Sequence, residues 1–586
     1  MKNRKRLKIA LSLILIFTML FVSMPVTVLA AEDVCKIGDT GYTTLKKAMQ
    51  AANDGDVIDV IRNTNMTSRY TVTKKIEITS SNKSRVAVTC NKGFTIGNGT
   101  AENSTAGELT LSGNLQIVTN KEVVTAMFML QSGTLTVKDN VYCESQTSYV
   151  VDSDGSGDAP IYINIHGGTL KSVSKLNEKA TIYVGGTGSV VNMTGGTVIQ
   201  GSNNSFAFKI DSQNSNVNIS GGHVKAVRNT LASHTADVGK VINITGGIVE
   251  AEEDSTIYTF YKCDYLTVNI SDNALLTAKR NTVRLESPMS TVNIKGGTVI
   301  ATEDAPISMG WGTLNISGGK IILDSNKSAT YVVRSAFNKN KNFPAFINIS
   351  GGLFINKNEN NKTVMTDSIN GTTPISFTGG KVLYKDNVDY VLDDKTVAPK
   401  TAEAIYEGET YYIFNRFSST NAKDTGIMGD GATIRLTEGD EGLRFSASFS
   451  EKVVSSLEKK GDVSYGMLII PTNQLTNLKE FTIESLNAKY GEGNYLNVVC
   501  TEGTGAEKLP NGNLRLQAAI TNIKADNYNT AFSAVAYACV NGSYYYAAYD
   551  QSICSATISD IAKAALADTS ADYTDAQKAI LNGFAG

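Results

Sequence analysis

Apolar and polar residues alternate in a short string that recurs along the first 400 residues of the chain. The string reads apolar-Asn-apolar-x-Gly-Gly, and its regular copies are INIHGG, VNMTGG, VNISGG, INITGG, VNIKGG, LNISGG and INISGG. With four less regular copies, the string ends at residues 114, 140, 168, 196, 222, 247, 273, 297, 319, 352 and 380, so the period is about 27 residues. A repeat of about 20–50 residues indicates a solenoid or a propeller.

Each repeat predicts three short strands. The alternation places Val191 and Met193 inside and Asn192 and Thr194 outside. Gly-Gly then supplies a sharp turn, which a Cβ would restrict. A second strand, a polar turn and a third, variable strand complete the coil. Because one coil cannot bury its own apolar face, the coils must stack. The pattern predicts a mainly β, right-handed parallel β-helix of about eleven or more coils over 31–415.

Stacking of the coils predicts two rows of polar side chains. The first row lies four residues before each alignment point and comprises Asn164, Asn192, Asn218, Asn243, Asn269, Asn293, Asn315 and Asn348. The second lies seven residues after it and comprises Asn229, Asp254, Asp304 and Asn326. We favour an amide ladder for the first row and hydrogen bonds to local backbone for the second. The alternative is a polar strip that binds a long glycan.

The segment before the first strand predicts a helical cap. Leu45, Ala48, Met49 and Ala52 share one helical face. Residues 42–400 resemble the pectate-lyase-like superfamily of right-handed parallel β-helices, both in this helix followed by NDGDVIDV and in the Gly-Gly coils of its bacterial surface proteins. The resemblance implies the fold. It does not imply one activity, since the superfamily contains lyases, hydrolases, epimerases and adhesins.

The repeat ends near residue 400, and a different pattern follows. Residues 416–430 are rich in Ser, Asn, Gly and Asp and predict a linker. Residues 431–586 predict a smaller α+β domain with helices at 450–460 and within 556–583. Asn541-Gly542 between two apolar runs predicts a hairpin. This domain resembles a C-terminal domain that recurs in secreted proteins of gut Firmicutes, a resemblance that implies no chemistry.

The first 30 residues predict a secretory signal peptide: a basic stretch, an apolar run and a small-residue site before Ala31. An uncleaved membrane anchor is the alternative. Removing these residues takes five positive charges from the formal net charge of −2 and leaves −7. An acidic chain lacks the excess of Lys and Arg that binding to nucleic-acid phosphates requires. No other apolar run is long enough to span a membrane. We therefore expect a secreted protein, released or held non-covalently at a cell surface.

The cysteines and histidines predict no cofactor and no metal site. The seven cysteines are an odd number, thinly spread, and none forms a zinc-binding motif with another Cys or a His. A bridge between Cys539 and Cys554 is left open beside the alternative of buried thiols.

The candidate functional residues are few. No RxPxxR string of pectate lyases and no NxD, DD and GHG strings of polygalacturonases occur in matching coils. Asp254 and Asp304 each lie seven residues after the end of a repeat string. Two coils separate them, a distance of about 9.6 Å, so they are weak candidates for the two carboxylates of an inverting glycoside hydrolase. We favour the explanation that both are charged residues of a turn, exposed to solvent. The aromatic candidates for stacking on sugar rings are Tyr544, Tyr545, Tyr546 and Tyr549, with packing on a helix as the alternative.

These features predict an exported bacterial surface or adhesin-like protein that binds glycan or cell-surface material without catalysis. One alternative is a polysaccharide-active enzyme, a lyase or a glycoside hydrolase, with its site in a solenoid groove. Another is a spacer. Acids, arginines and aromatics gathered on one face would favour the enzyme, whereas a face of Asn, Ser and Thr would favour binding or structure.

Overall fold

The computed structural model describes residues 32–98, 105–120, 125–153, 155, 160–259, 265–327, 330–335, 345–366, 375–392, 396–400, 403–417, 427–478, 480–510, 512–547, 549–568 and 571–586. The predicted signal peptide at 1–30 and Cys263 lie outside them. The described chain is mainly β and contains a parallel β-solenoid of about eleven turns, as predicted.

Parallel pairing joins each strand to the strand one coil further on, and three sheets result. The first sheet contains Val57–Val60, Lys75–Thr79, Gly107–Leu111, Gly133–Val137, Ile161–Ile165, Val190–Met193, Asn216–Ile219, Lys240–Ile244 and Leu266–Ile270, then the second halves of Val283–Ile294 and Ile307–Ile316 and the first halves of Ala345–Asn356 and Ile375–Tyr384.

The second sheet follows the Gly-Gly turn, and the third follows the polar turn. The second contains Thr64–Met66, Val86–Cys90, Leu115–Thr119, Tyr142–Ser145, Thr169–Ser172, Thr197–Gln200, His223–Ala226, Ile248–Ala251, Leu275–Ala278, Thr298–Ala301, Lys320–Leu323 and the remaining halves of Ala345–Asn356 and Ile375–Tyr384. The third contains Tyr70–Val72, Phe94–Ile96, Ala126–Leu130, Tyr149–Asp152, Ala180–Val184, Phe206–Ile210, Asn229–Ser233, Ile257–Thr259, the first halves of Val283–Ile294 and Ile307–Ile316, Val333–Ser335, Thr363–Thr366 and Tyr390–Leu392.

The interior of the solenoid is one continuous apolar core. Buried Ile, Val, Leu and Phe side chains form a single cluster from Cys35 to Phe414. The predicted alternation is confirmed: Val191 and Met193 are fully buried, while Asn192 is half-buried and Thr194 is exposed. Burial of this apolar surface is the main favourable contribution to the stability of stacked coils.

The two glycines of each Gly-Gly turn serve different purposes. The second lies in the left-handed region, with φ of 81° at Gly222. The first lies against the neighbouring coil: a Cβ on Gly221 would come within 2.3 Å of the Thr194 carbonyl oxygen. The turn therefore needs one glycine for its backbone angles and another for the close approach of two coils.

Antiparallel strands finish the solenoid at both ends. At the start, Cys35–Ile37 pairs with Thr40–Tyr42 and with Val57–Val60. Helix α1 (Leu45–Ala51) begins at Thr44, whose side chain accepts a hydrogen bond from the Lys47 amide, and the apolar face predicted for it is buried in the solenoid core. At the far end, Thr396–Val397 pairs with the third sheet, and the hairpin of Glu403–Tyr406 and Glu409–Phe417 extends the second.

A separate sheet of nine strands follows in the described part of the chain. Its strands are Ile427–Arg435, Gly442–Phe449, Val463–Pro471, Leu496–Glu502, Gly505–Lys508, Leu514–Thr521, Phe532–Val540, Ser543–Tyr546 and Ser555–Ala556. Its helices are α2 (Glu451–Glu458), α3 (Ile483–Tyr490), α4 (Gln551–Cys554), α5 (Ile558–Ala567) and α6 (Asp575–Ala585), with 3-10 turns at Thr472–Asn477 and Ala525–Asn527. The hairpin at Asn541-Gly542 is present, and the core around this sheet is distinct from that of the solenoid.

The C-terminal region closes the last edge of the solenoid. Tyr549–Asp550 pairs with Arg416 and Phe417 of the final strand. The fully buried Gln551 accepts a hydrogen bond from the Asn415 amide at 2.8 Å and donates one to the Ile413 carbonyl at 2.5 Å. A side-chain amide thus occupies the place of another strand, which is one way to protect a sheet edge from unwanted pairing.

The predicted linker at 416–430 overlaps a strand at each end, since one strand continues to Phe417 and the next begins at Ile427. Residues 418–426 lie outside the described chain.

Candidate functional site

The asparagine row of the first sheet is an unbroken amide ladder. All eight residues stack in register, and each Nδ2 from Asn192 onward donates to the Oδ1 of the preceding Asn at 2.8–3.1 Å. The amides of the six inner residues therefore both donate and accept within the row. This is the structural explanation favoured from the sequence, and each inner amide keeps one N–H and one oxygen lone pair outside the row.

The second polar row is also confirmed, with one residue added. Asn229, Asp254, Asn281, Asp304 and Asn326 each lie three residues beyond a strand of the second sheet. Counting seven residues from the end of the repeat string misses Asn281, because the turn at 271–274 is one residue longer than the corresponding turns of the neighbouring coils. The amide residues bond the next coil rather than local backbone: Asn229 Oδ1 accepts from the Ser255 amide, and Asn281 Nδ2 donates to the Ala305 carbonyl.

The outward face of the third sheet is different, because charged and aromatic side chains meet on it. We call it the charged strip and define it by Lys209, Asp211, Arg228, Asp254, Tyr258, Arg284, Glu286, Asp304, Ser308 and Arg334. Register places Lys209 and Tyr258 on either side of Ala232, and then Arg284, Ser308 and Arg334 on successive coils. The strip therefore follows the solenoid axis over six coils.

Tyr258, Arg284 and Glu286 form the centre of the strip. The Arg284 guanidinium lies over the Tyr258 ring, 5.1 Å from its centroid. Its Nε and Nη2 donate to Glu286 Oε1 at 2.9 and 2.7 Å. Burial, and then the negative charge of Glu286, raise the pKa of Tyr258, so its hydroxyl stays protonated and able to donate. These contacts hold the polar groups of the cluster in fixed positions.

Asp254 and Asp304 both belong to the strip, and each faces an arginine. Arg228 Nε donates to Asp254 Oδ2 at 3.3 Å. Arg334 holds Asp304 with two bonds of 3.0 and 3.2 Å and also donates to Ser308 Oγ at 3.1 Å. The two carboxylates point to partners on opposite sides, Arg228 one coil before Asp254 and Arg334 one coil after Asp304. The geometry gives each one an ion pair, and a catalytic role for the two together stays a prediction.

The four candidate tyrosines do not form one platform. Tyr544 and Tyr546 stack at 5.9 Å on one side of their strand, and Tyr546 and Tyr549 are buried. The Tyr546 hydroxyl accepts a hydrogen bond from the Ile483 amide at the start of α3 and lies 3.2 Å from Glu484 Oε2. Tyr545 meets Lys460 instead, whose Nζ lies 4.8 Å from the ring centroid.

Sequence reasoning missed the tyrosine that joins this group. Tyr537 contacts both Tyr544 and Tyr546, and its hydroxyl donates to Asn497 Oδ1 at 2.8 Å. Its ring lies across Gly466, where an added Cβ would come within 2.4 Å of the ring. The glycine in the paired strand was the only sequence signal for this packing. Helix packing explains Tyr546, and binding by the other three stays a prediction.

A groove of about 1120 Å³ lies between the solenoid and the C-terminal region. Gly-Gly turns and outward residues of the second sheet form its floor, and its walls include Ile405, Leu478 and Glu480. Lys381 closes one end by donating to the Thr476 carbonyl, and burial followed by the charge of Lys489 lowers its pKa to about 8. The groove has room for a ligand, but the described residues that line it include no arginine, and so no pairs of arginine and carboxylate like those of the strip.

The described residues offer no conventional metal site. Among them, no group of three or more His, Cys, Asp or Glu side chains is arranged to hold an ion. The six described cysteines are thiols, and no bond joins Cys539 to Cys554. Across the same part of the chain, no helix has both the length and the apolar character needed to cross a bilayer.

The chain matches no family model, no curated protein and no solved structure.

Proposed function

We propose that this is an exported surface protein whose β-solenoid binds a polysaccharide chain on the charged strip without cleaving it. The observation that carries the proposal is the row of paired polar side chains along the solenoid axis. Ligand sites combine contact area with a few precisely placed polar groups. Arginine and tyrosine are also the residues most enriched among those that dominate binding energies.

The pairing of charges favours a neutral glycan. Within the strip, Lys209 lies 3.2 Å from Asp211, and the three arginines are paired with Asp254, Glu286 and Asp304. Four cations thus meet four carboxylates, and the strip carries no net charge. A uronate polymer would bring further negative charge to guanidinium groups that are already compensated, whereas sugar hydroxyls can both donate to the carboxylates and accept from the guanidinium groups.

Export and a cell-surface location are part of the same proposal. The signal-like start of the chain and the resemblance of 42–400 to pectate-lyase-like surface proteins support them. The C-terminal region, with its partly exposed Tyr544 and Tyr545, would then contribute to attachment.

The alternative function is a polysaccharide-active enzyme at the same strip. A specific observation favours it: acids, arginines and a tyrosine gather on one face, as expected for an active site. Against it, the carboxylates that would supply acid and base are held in ion pairs, and a lyase needs cationic groups that are not already neutralised.

A paired assay separates the two functions. Purified residues 31–586 are tested on neutral and acidic polysaccharides for retention and for new reducing ends. We expect retention on a neutral polymer without cleavage. Arg284→Gln should weaken retention roughly tenfold, while Lys225→Gln should not, because Lys225 is an ion-paired cation on the second sheet. New reducing ends that disappear in Arg284→Gln would show that the protein is an enzyme. Equal retention of Arg284→Gln and Lys225→Gln would show that the charged strip is not the binding site.

A further inference from the structure

Two outward columns of the first sheet carry no charged side chain over nine coils, whereas the next outward column holds Lys138 and Lys295. Each strand contributes two outward side chains, and together they are Thr134, Thr136, Tyr162, Asn164, Val190, Asn192, Asn216, Asn218, Val241, Asn243, Thr267, Asn269, Thr291, Asn293, Thr313, Asn315, Phe346 and Asn348. We call this set the ladder face. The face ends at Glu108 of the preceding coil, which forms an ion pair with Lys75.

Covering the ladder face costs less desolvation than covering the same amides unpaired. A polar group is expensive to bury only when it loses hydrogen bonds to water and gains none. The inner ladder amides bond one another at 2.8–3.0 Å, so one donor and one acceptor of each amide stay bonded when water is excluded, and the covering surface must bond the second N–H and lone pair. The charged strip lacks this property, because its ion pairs would lose hydration when covered.

Large apolar side chains stand near the two ends of the ladder face. Tyr162, in its second coil, is 42% exposed, and Phe346, in its last coil, is 53% exposed. Val190 and Val241 lie half-exposed between them in the same column. A single exposed apolar residue needs no explanation. Two aromatic residues that bracket an uncharged face indicate a surface that another surface covers.

The area of the face suits a protein partner. The eight coils from Tyr162 to Phe346 at ~4.8 Å span about 38 Å, and four residues across a strand span about 14 Å. One copy therefore offers roughly 540 Å², and two copies would bury about 1,100 Å² in total, just above the ~1,000 Å² that a specific interface needs. A second copy of the same chain matches this face in length, periodicity and lack of charge.

We propose that the ladder face docks on the ladder face of a second copy, with the two solenoids antiparallel about a two-fold axis. An isologous interface uses one patch twice, so its two ends exchange places. The axis passes between Val241 and Thr267, midway between the coil of Tyr162 and the coil of Phe346. Tyr162 of one copy then meets Phe346 of the other, and both exposed aromatic residues become covered. The interface is small, so the dimer dissociates on dilution.

Sedimentation velocity over about a hundredfold range of micromolar concentrations tests the association. We expect a concentration-dependent dimer that Thr267→Lys weakens at least tenfold, because it places like charges near the axis. The matched control is Thr277→Lys, an outward half-exposed threonine of the second sheet. A chain that stays monomeric throughout, or a dimer that Thr267→Lys leaves intact, would overturn the proposal.

Cross-linking tests the orientation. Every variant carries Cys539→Ser, since Cys539 is a half-exposed native thiol. With a short bismaleimide, we expect dimers from the double variant Tyr162→Cys/Phe346→Cys and from an equal mixture of the two single variants, but not from either single variant alone. Cross-linking of one single variant with itself would refute the antiparallel arrangement. Retention of a monomeric chain on a flat polysaccharide, lost in Thr267→Lys, would show a glycan as the occupant and refute self-association.

Discussion

The first and third sheets are built by the same coils and line the same core, yet their outward faces differ. In the first sheet asparagine recurs at one position from residue 164 to residue 348, and each amide bonds the next. In the third sheet the corresponding outward position changes at every coil, through Tyr183, Lys209, Ala232, Tyr258 and Arg284. An asparagine that recurs at one position in every coil bonds the asparagine of the next coil. A position whose residue changes from coil to coil has no identical neighbour, so its side chain bonds residues at other positions.

We expect this difference to separate stability from the proposed binding. On the first sheet, the ladder and the Gly-Gly turn beside it contribute to the stacking of the coils. On the third sheet, side chains pair across coils and still present polar edges to solvent. Substitutions should therefore change stability on the first side of the coil and binding on the third.

The largest effect is expected at the Gly-Gly turn. Gly221→Ala forces a Cβ to within 2.3 Å of the Thr194 carbonyl oxygen, so two coils must separate. We expect a loss of about 3–5 kcal/mol in the free energy of unfolding, measured by urea denaturation. The control is Gly188→Ala, where φ is +70° but no atom lies within 4 Å, and the loss should be about 1–2 kcal/mol. Equal losses would refute the close-approach explanation.

The next effect is expected in the ladder. Asn243→Ala removes one bond to Asn218 and one from Asn269, and we expect it to destabilise the protein by about 1–2 kcal/mol. Asn216→Ala changes the same residue type on the same face, outside the ladder, and should cost less. The urea midpoints of the two variants provide the measurement. If they coincide, the ladder contributes nothing to stability.

A smaller effect on stability is expected on the charged strip. Arg334→Lys keeps the charge but loses the two-bond contact with Asp304, and the free energy of unfolding should fall by less than about 1 kcal/mol. Glycan binding should weaken by roughly tenfold in the same variant if the fixed guanidinium contacts the ligand. Titration on the neutral polymer checks this. Unchanged affinity together with a large loss of stability would show that Arg334 serves the stability of the third sheet and not binding.

The smallest effect is a pH dependence at His234, next to the strip. Burial, and then the nearby charge of Lys209, lower its pKa, while Asp211 and Glu178 oppose the shift. As pH falls below about 6.5, the unfolded chain binds the proton before the folded chain does, so stability decreases until the pH reaches the pKa of the folded state. His234→Gln should flatten this decrease between about pH 7 and 5. An identical pH profile in the variant would exclude His234 as its source.

Much of the fold was predictable from the sequence because strand periodicity is local. The alternation around Val191 and Met193 and the recurrence of Asn predicted both the core and the ladder. The candidate site was predictable only in part. Asp254 and Asp304 were recognised as a pair because each lies seven residues after the end of a repeat string. Their arginine partners were not recognised, since Arg334 lies 30 residues from Asp304 and no constant spacing links such ion pairs.

Two other residues show where counting along the chain fails. One extra residue in the turn at 271–274 removes Asn281 from its predicted row, although it bonds the next coil as Asn229 does. Tyr545 was grouped with Tyr544 by proximity in sequence, yet adjacent residues of a strand point to opposite faces, and Tyr537 contacts Tyr544 and Tyr546 on one face while Tyr545 meets Lys460 on the other.

The sequence by itself determined the repeat, the inward and outward positions, and the ladder, because each depends on spacing that one coil copies from the last. Only the tertiary structure decided which outward side chains meet across coils, since coil lengths vary and long side chains reach in either direction along the axis. It also decided that Gln551 bonds the last strand of the solenoid, a contact between residues 136 apart that no local pattern encodes.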